Sequence, residues 1–186
     1  QRAVQEQGFT MPTQIQEKTM PLIFAGKDII GQSETGSGKT AAFGLPILTN
    51  INQGKGVQAL ILTPTRELCQ QVSDTLKKFS KYKPVNILPV FGGVGLSQQL
   101  NNFRNADIVV ATPGRLLDLL NRGCRLSTVK YVVLDEADRM LDMGFIEDVE
   151  KIIRTCPANR QTLFFSATIP SSIRKLANHY MTTPIT

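Results

Sequence analysis

Residues 33–40 combine small residues, a lysine and a threonine at a spacing that suits phosphate binding. Gly36 and Gly38 carry no side chain, so backbone N–H groups can converge there on phosphate oxygens. Lys39 is expected to reach the β- and γ-phosphates of a nucleoside triphosphate, and the Thr40 hydroxyl is expected to ligate Mg²⁺. The residues predicted to bind the nucleotide in this segment are Ser33, Glu34, Thr35, Gly36, Ser37, Gly38, Lys39 and Thr40.

A second candidate site lies further along the chain, where an apolar segment ends in Asp135 and Glu136. Asp135 is predicted to hold Mg²⁺, directly or through water. Glu136 is placed to orient or deprotonate the water that attacks the γ-phosphate. With Lys39 these two acids form the predicted catalytic set, and Thr40 and Asp135 are the predicted metal ligands.

Each half of this site has a plainer explanation when it is taken alone. The glycine-rich segment can be a turn that caps a helix, and Ser33 departs from the phosphate-loop pattern, which has glycine there. An acidic pair at the end of a strand is often only a solvated turn. Together, on one edge of a sheet, the two segments instead predict a magnesium-dependent nucleoside triphosphatase.

The elements that must position these residues alternate between strands and helices. Apolar runs with little alternation predict strands covered on both faces, at 28–30, 59–63, 85–91, 107–111, 131–135 and 162–166. Helices are predicted between them, at 40–50, 67–79, 115–120, 145–155 and 171–180. This alternation favours a single α/β domain with a doubly wound, mostly parallel sheet. In such a sheet the polar segments all follow carboxyl ends of strands, where ligands bind.

Composition sets the broad class of protein. No apolar stretch approaches the ~18 to 20 residues that a membrane span needs. The three cysteines form no metal-ligand spacing, and free thiols suit a reducing, cytoplasmic setting. The net charge of +6 is compatible with a polyanionic partner, although many domains carry such a charge for solubility. Because the chain begins with Gln1, we expect a fragment or a trimmed product.

Residues 135–138 spell Asp-Glu-Ala-Asp, and the chain resembles the N-terminal RecA-like lobe of DEAD-box RNA helicases. Seven blocks occur in the order of that family between Gly8 and about Thr183. The resemblance implies one RecA-like P-loop domain over residues 1–186. It also implies binding of ATP, Mg²⁺ and the RNA backbone, with hydrolysis that drives local unwinding or remodelling of RNA–protein complexes. The blocks comprise the adenine motif at 8–16, the phosphate loop at 33–40, the acidic box at 135–138 and Ser-Ala-Thr at 166–168.

The resemblance assigns base recognition to residues 8–16. It implies that the amide of Gln16 donates to and accepts from adenine, and a glutamine amide can do both. Thr13 is implied as a contact to the phosphate loop, and Phe9 either packs against the base or belongs to the core. Relative to the family, Ser33 stands where alanine is usual, and Glu34 where glutamine is common.

Three further blocks resemble the segments with which the family holds RNA by its phosphates and 2′-hydroxyls. Glycines there allow close approach of the backbone, and helix N-termini offer N–H donors. Arg66 and Arg115 add charge, although both can equally brace loops. The residues implied to contact RNA are Pro64, Thr65, Arg66, Gly92, Gly93, Thr112, Pro113, Gly114 and Arg115.

Ser166 and Thr168 resemble the family motif that links ATP hydrolysis to unwinding. Their hydroxyls are expected to hydrogen-bond to Asp138, which makes Asp138, Ser166 and Thr168 the predicted coupling residues. The plainer alternative is that these hydroxyls begin the helix that Pro170 opens.

Family members also need a second RecA-like lobe with arginine fingers, and this sequence contains nothing similar. We therefore expect the chain alone to bind ATP weakly, to hydrolyse it slowly and not to unwind duplexes. Two other functions are kept as alternatives: a P-loop ATPase that acts on DNA, and an ATP-gated clamp on nucleic acid.

Overall fold

The computed structural model describes residues 2–6, 12–34 and 36–186. Six strands form one sheet in which every neighbouring pair is parallel, in the order β1-β6-β5-β2-β4-β3. The strands are β1 Ile29–Gln32, β2 Ala59–Leu62, β3 Ile87–Val90, β4 Ile108–Ala111, β5 Tyr131–Asp135 and β6 Gln161–Ser166. Each of the six predicted strands is therefore present, and the doubly wound α/β fold is confirmed.

Helices connect the strands. They are α1 Arg2–Glu6, α2 Gln14–Phe24, α3 Lys39–Asn50, α4 Arg66–Phe79, α5 Leu96–Phe103, α6 Pro113–Asn121, α7 Ala137–Asp142, α8 Ile146–Arg154 and α9 Ser171–Tyr180. Four of these, α1, α2, α5 and α7, were not among the predicted helices. Three of them are only five to eight residues long, too short for a helical hydrophobic period to stand out.

Two apolar clusters fill the space between the sheet and the helices on its two faces. Along β2, Leu60 and Leu62 belong to one cluster, whereas Ala59 and Ile61 belong to the other. Successive side chains on a strand point to opposite faces. Both faces of the central strands are therefore buried, which explains why these segments are continuously apolar.

Among residues 2–6, 12–34 and 36–186, each helix is too short or too polar to cross a membrane.

The buried carboxylate of Asp28 joins the start of β6 to the C-terminal segment. Its Oδ1 accepts a hydrogen bond from the Thr162 N–H at 2.9 Å, and its Oδ2 accepts one from the Thr182 N–H at 2.7 Å. The Asp28 carbonyl also accepts from the Ile185 N–H at 3.0 Å. Asp28 therefore holds the last residues of the chain beside β1, the strand that leads into residues 33–40.

We expect Asp28→Ala to lower the free energy of unfolding by about 3 kcal/mol, because two backbone N–H groups lose a charged acceptor. Urea denaturation measures the change. Asp142→Ala removes an exposed carboxylate and is the matched control, with an expected effect within about 0.5 kcal/mol. Equal unfolding midpoints for the two variants would show that the Asp28 contacts do not stabilise the fold.

Candidate functional site at the carboxyl edge of the sheet

Six of the seven predicted motif segments, all except the adenine motif, lie where a strand ends, along the edge that we call the carboxyl edge. The sheet order divides them into two groups. Adjacent strands β1, β6 and β5 lead into residues 33–40, 166–168 and 135–138. Strands β2, β4 and β3 lead into the three segments predicted to contact RNA, 64–66, 112–115 and 92–93. The predicted convergence at one edge is therefore confirmed.

The turn before α3 depends on two glycines with positive φ, +82° at Gly36 and +83° at Gly38. A Cβ atom on Gly38 would lie 2.6 Å from Gln16 Nε2 and 2.9 Å from Thr13 Oγ1. Glycine is therefore required at position 38 both by the backbone conformation and by the neighbours. The N-terminus of α3 begins at the next residue, Lys39, and presents its N–H groups at this turn.

Gln16 ties this turn to the start of α2. Its Oε1 accepts from the Thr13 N–H at 3.0 Å, and its Nε2 donates to the Gly38 carbonyl at 3.0 Å. Only 6% of Gln16 is exposed. The amide still has one hydrogen and one lone pair for a further partner. Its predicted contact with adenine stays a prediction, as does the role of Thr13, whose side chain lies against Gly38. Phe9 and Thr35 lie outside the described residues.

Two hydroxyls of the phosphate loop are buried without a partner among the described residues, those of Ser33 and Ser37. The backbone of Ser33 is held in place, since its N–H donates to the Ser166 carbonyl at 2.9 Å. A buried hydroxyl that lacks a partner is costly, and an arriving phosphate oxygen can accept from it. Ser33, which departs from the sequence pattern, therefore adds a donor to this loop.

Lys39 and Asp135 form a buried ion pair with an Nζ–Oδ1 distance of 2.9 Å. Asp135 is 0% exposed and Lys39 6%. Neither oxygen of Asp135 accepts a well-directed hydrogen bond from a described residue, so the close ammonium is its main stabilising contact. Burial raises the pKa of the Asp135 carboxyl above its ordinary value, despite the opposing effect of Lys39.

These oxygens fit a hard cation. Mg²⁺ prefers oxygen ligands and is commonly held by one or two carboxylates together with substrate phosphates. The buried, under-coordinated carboxylate of Asp135, beside the phosphate loop, is suited to this role.

Glu136 has an unusual backbone conformation for a residue with a side chain, with φ 53° and ψ 54°. A left-handed conformation costs about 1–2 kcal/mol per residue. The conformation of Glu136 takes the chain from the end of β5 to the start of α7 within one residue. The Glu136 carboxylate consequently lies 3.9 Å from Lys39 Nζ and 3.9 Å from Arg139 Nη1, beside the Asp135 pair.

The expected contacts between Asp138 and the 166–168 segment are present. The Thr168 hydroxyl and N–H donate to Asp138 Oδ2 at 2.9 Å and 3.1 Å, and the Asp138 N–H donates to Ser166 Oγ at 3.1 Å. Partial burial alone would raise the pKa of Asp138, but hydrogen bonds from Thr168, Ser166 and the Arg139 N–H together hold it below its ordinary value. Ser166 is also buried in β6, so the contacts join two neighbouring strand ends.

In the second group, Arg66 and Arg115 brace the loop that follows β3. We call residues 91–95 the brace loop. The Arg66 guanidinium lies 4.8 Å from the centre of the Phe91 ring, and its Nη1 would be 2.8 Å from a Cβ on Gly93. Arg115 Nη1 donates to the Val94 carbonyl at 2.9 Å. The bracing alternative is therefore realised for both arginines, and their RNA contacts stay predictions.

The other residues predicted to contact RNA lie at helix starts or in the brace loop. Thr65 is the N-cap of α4, and its hydroxyl accepts from the Leu68 N–H at 3.2 Å. Thr112 is the N-cap of α6, which begins at Pro113. Pro64 and Gly114 flank these starts. Two helix N-termini and an exposed glycine pair thus face one stretch of the edge.

Sequence reasoning missed Gln99, which connects these segments. Its Nε2 donates to the Phe91 carbonyl at 3.1 Å, and its Oε1 accepts from Arg115 Nη1 at 3.2 Å. Gln99 is 4% exposed. The apolar residues Leu96, Leu100 and Phe103 place it on the inner face of α5, which is the signal that could have identified it.

Comparison with known proteins gives consistent results. Residues 13–176 match the family described as DEAD/DEAH box helicase. The chain is 50% identical to the "DEAD-box ATP-dependent RNA helicase CshA" of Bacillus licheniformis, over 98% of this chain and 38% of that protein. It is 53% identical to the "ATP-dependent RNA helicase CshA" of Listeria monocytogenes, over 98% of this chain and 36% of that protein.

Comparison with solved structures gives the same family. A DEAD box protein from the hyperthermophile Methanococcus jannaschii is 46% identical, with a TM-score of 0.96 over 99% of this chain and 52% of that one. This likeness confirms the RecA-like fold. The chain spans little more than a third of the length of the curated relatives described above.

We expect Gln99→Met to lower the free energy of unfolding by about 1–3 kcal/mol, because the buried Phe91 carbonyl and the Arg115 guanidinium each lose a partner. Methionine keeps a similar side-chain length. Gln98→Met, at the exposed neighbouring position, is the matched control and should change stability by less than about 0.5 kcal/mol. If urea denaturation gives the two variants the same midpoint, Gln99 does not hold the brace loop.

Proposed function

Because this chain belongs to the DEAD/DEAH box helicase family, we propose that it is the ATP-binding lobe of an RNA-dependent ATPase that separates or remodels RNA structures. The proposal depends above all on one observation: Lys39, Asp135 and Glu136 meet beside a glycine turn at the start of a helix.

The turn at Gly36 and Gly38 and the N-terminus of α3 would hold the triphosphate. The backbone N–H groups at the start of α3 supply donors, and the partial positive charge of the helix end attracts an anion. The hydroxyls of Ser33 and Ser37, which have no partner among the described residues, would add two donors to the same loop. Lys39 would leave Asp135 and contact the phosphate oxygens instead, because these together carry more negative charge than one carboxylate.

Asp135 and Thr40 are the residues that would hold Mg²⁺. The ion, when bound, neutralises charge that develops on the phosphates during transfer. The metal would replace Lys39 as the partner of Asp135. This fully buried carboxylate would therefore have a positive partner both before and after the nucleotide binds.

Glu136 would act on the attacking water. Its carboxylate is held at 3.9 Å from Lys39 Nζ, beside Asp135, by a strained backbone conformation. Such strain persists only where the surrounding structure over-determines it, and it is common at active sites. From this position Glu136 would orient the water or take its proton, a role that contributes about 10²–10⁴-fold to rates.

The second half of the edge would hold RNA through its backbone. Helix N-termini at Thr65 and Thr112 offer N–H donors, and Gly92 and Gly93 leave the brace loop open to close approach. Such donors recognise phosphates and 2′-hydroxyls rather than bases, so binding would not depend on sequence. Gln99, Arg66 and Arg115 would set the shape of this surface from behind.

The contacts of Asp138 with Ser166 and Thr168 would transmit changes at the phosphates from the acidic box to the 166–168 segment. Asp138 is two residues from Glu136, and Ser166 is the last residue of β6. A change at the phosphates that displaces the acidic box would therefore alter these three hydrogen bonds. These contacts can transmit such a change only if the acidic box has two arrangements, and nucleotide binding would favour one of them.

We further propose that the chain works with a second RecA-like lobe. The curated relatives are more than twice as long as the part that matches. Arginine fingers from such a lobe are worth about 10³–10⁵ in rate, so the chain alone would hydrolyse ATP slowly.

Three free cysteines are compatible with a reducing, cytoplasmic location.

Two alternatives are distinguished by assay. An ATPase that acts on DNA would be stimulated by DNA at least as well as by RNA. A clamp that needs no turnover would release RNA normally after loss of the water-activating group. The intact set of Lys39, Thr40, Asp135 and Glu136 favours turnover.

The decisive variant is Glu136→Gln, in a protein that joins this chain to its second lobe. We expect ATP hydrolysis stimulated by RNA to fall by at least about 100-fold, because the amide cannot accept the proton. ATP affinity should change by less than about threefold, since this carboxylate is not assigned to binding. Single-turnover hydrolysis and a nucleotide titration measure the two effects.

Glu147→Gln, which removes an acid from the exposed start of α8, is the control and should leave both values unchanged. Normal hydrolysis by Glu136→Gln would contradict the assignment of the base. Equal stimulation of the parent protein by DNA and RNA would contradict the choice of nucleic acid.

A further inference from the structure

Three surface cavities join into one cleft along the open side of β3, the edge strand of the sheet. The first is lined by Phe91, Val94 and Gln99 at one end and by Asn86 and Asn105 at the other. It therefore runs the length of β3, from the brace loop to the amino ends of the strands.

The cleft continues around the amino ends, where neighbouring cavities share lining residues. The second cavity shares Asn86 and Asn105 with the first, and Gly56 and Arg104 with the third. The cleft thus connects the surface proposed to hold RNA with the opposite end of the lobe.

The third cavity, about 480 Å³ in volume, is lined by three arginines, Arg104, Arg122 and Arg125. We call it the arginine cavity. All three are exposed, none forms an ion pair with an acid among the described residues, and no aspartate or glutamate lines the cavity. Exposed like charges at close range repel one another unless an anion lies between them. This arrangement suits a ligand that carries phosphate groups.

Among the residues that the structure describes, Asp107 is the single carboxylate that lines the cleft, and it already accepts two hydrogen bonds. It is 1% exposed. Its Oδ1 accepts from the Gly54 N–H at 2.9 Å and its Oδ2 from the Asn86 N–H at 2.8 Å. It therefore does little to neutralise the arginines, and the exposed lining of the cleft is positive and rich in amides.

We propose that an RNA strand bound at the carboxyl edge continues along β3 and places later phosphates against Arg104, Arg122 and Arg125. This inference rests on the proposed function, because it begins from the RNA surface of the brace loop. Lys77 also lines the first cavity and adds positive charge to the path.

The cleft fits RNA better than an acidic peptide. A peptide that binds beside an exposed edge usually adds a strand to it. Here β3 is four residues long and contains Pro89, which lacks an N–H, and both features discourage strand addition. A flexible phosphate chain needs only donors and positive charge at intervals, and amides and arginines provide these along the whole path.

The test compares uridine single strands of about 6 and about 20 nucleotides, the second long enough to leave the carboxyl edge. The test variant is Arg104→Gln/Arg122→Gln/Arg125→Gln of this chain, and fluorescence anisotropy gives the affinity. At 0.1 M salt each contact with a phosphate of a single strand raises the affinity about fivefold. We therefore expect the long strand to bind the variant roughly 10- to 100-fold more weakly, while affinity for the short strand changes less than about twofold. The slope of log affinity against log salt should become shallower by about 2.

The matched control is Lys27→Gln/Arg174→Gln/Lys175→Gln, which removes three exposed charges near β1 and β6. Both triple variants lower the net charge from +6 to +3, because each loses three positive charges. An equal loss of affinity in the control would overturn the proposal in favour of a general effect of charge. Wild-type chain that binds long and short strands equally would also overturn it, and would leave the proposed function standing.

Two further outcomes separate the remaining possibilities. Arginine-dependent binding of the long strand without binding of the short one would support the cleft and count against RNA contacts at the carboxyl edge. Displacement of the long strand by a polyglutamate peptide of similar length, at similar concentration, would overturn the choice of RNA and indicate an acidic protein partner.

Discussion

The buried pair of Lys39 and Asp135 is the interaction on which the rest of the site depends. Taking two charges out of water costs several kcal/mol per ion, and a buried pair seldom recovers the whole cost. Asp135 shows this, since burial raises its pKa even with an ammonium 2.9 Å away. A pair of this kind contributes little to the stability of the fold. In the proposed function, the pair would hold two binding groups dehydrated and in place until the triphosphate and its metal give each a better partner.

The parallel sheet makes this arrangement possible. Lys39 follows β1 and Asp135 ends β5, and β6 lies between these strands. The Ser166 hydroxyl at the end of β6 therefore receives the Asp138 N–H directly. On the other half, β2, β4 and β3 bring Arg66, Arg115 and Gln99 together around the brace loop. In the proposed function, binding of phosphate and support of the nucleic-acid surface would thus be neighbouring tasks of one continuous edge.

Much of this could be predicted from the sequence, because local chemistry determines it. The turn at Gly36 and Gly38 needs residues without side chains, and an apolar run that ends in Asp135 needs a buried strand. The partners of Gln99 could not be predicted, although its place on the inner face of α5 could, since they depend on β4 lying between β2 and β3 in the sheet rather than on order in the chain. The arginine cavity was missed for the same reason: its residues come from separate loops that meet only at the amino ends of the strands.

A crystal structure of this chain with Mg²⁺ and a non-hydrolysable ATP analogue tests the central claim most directly. We predict that Lys39 Nζ leaves Asp135 Oδ1, now 2.9 Å away, and contacts a phosphate oxygen at the turn of Gly36 and Gly38. A triphosphate bound elsewhere, with the Lys39–Asp135 pair unchanged, would contradict it.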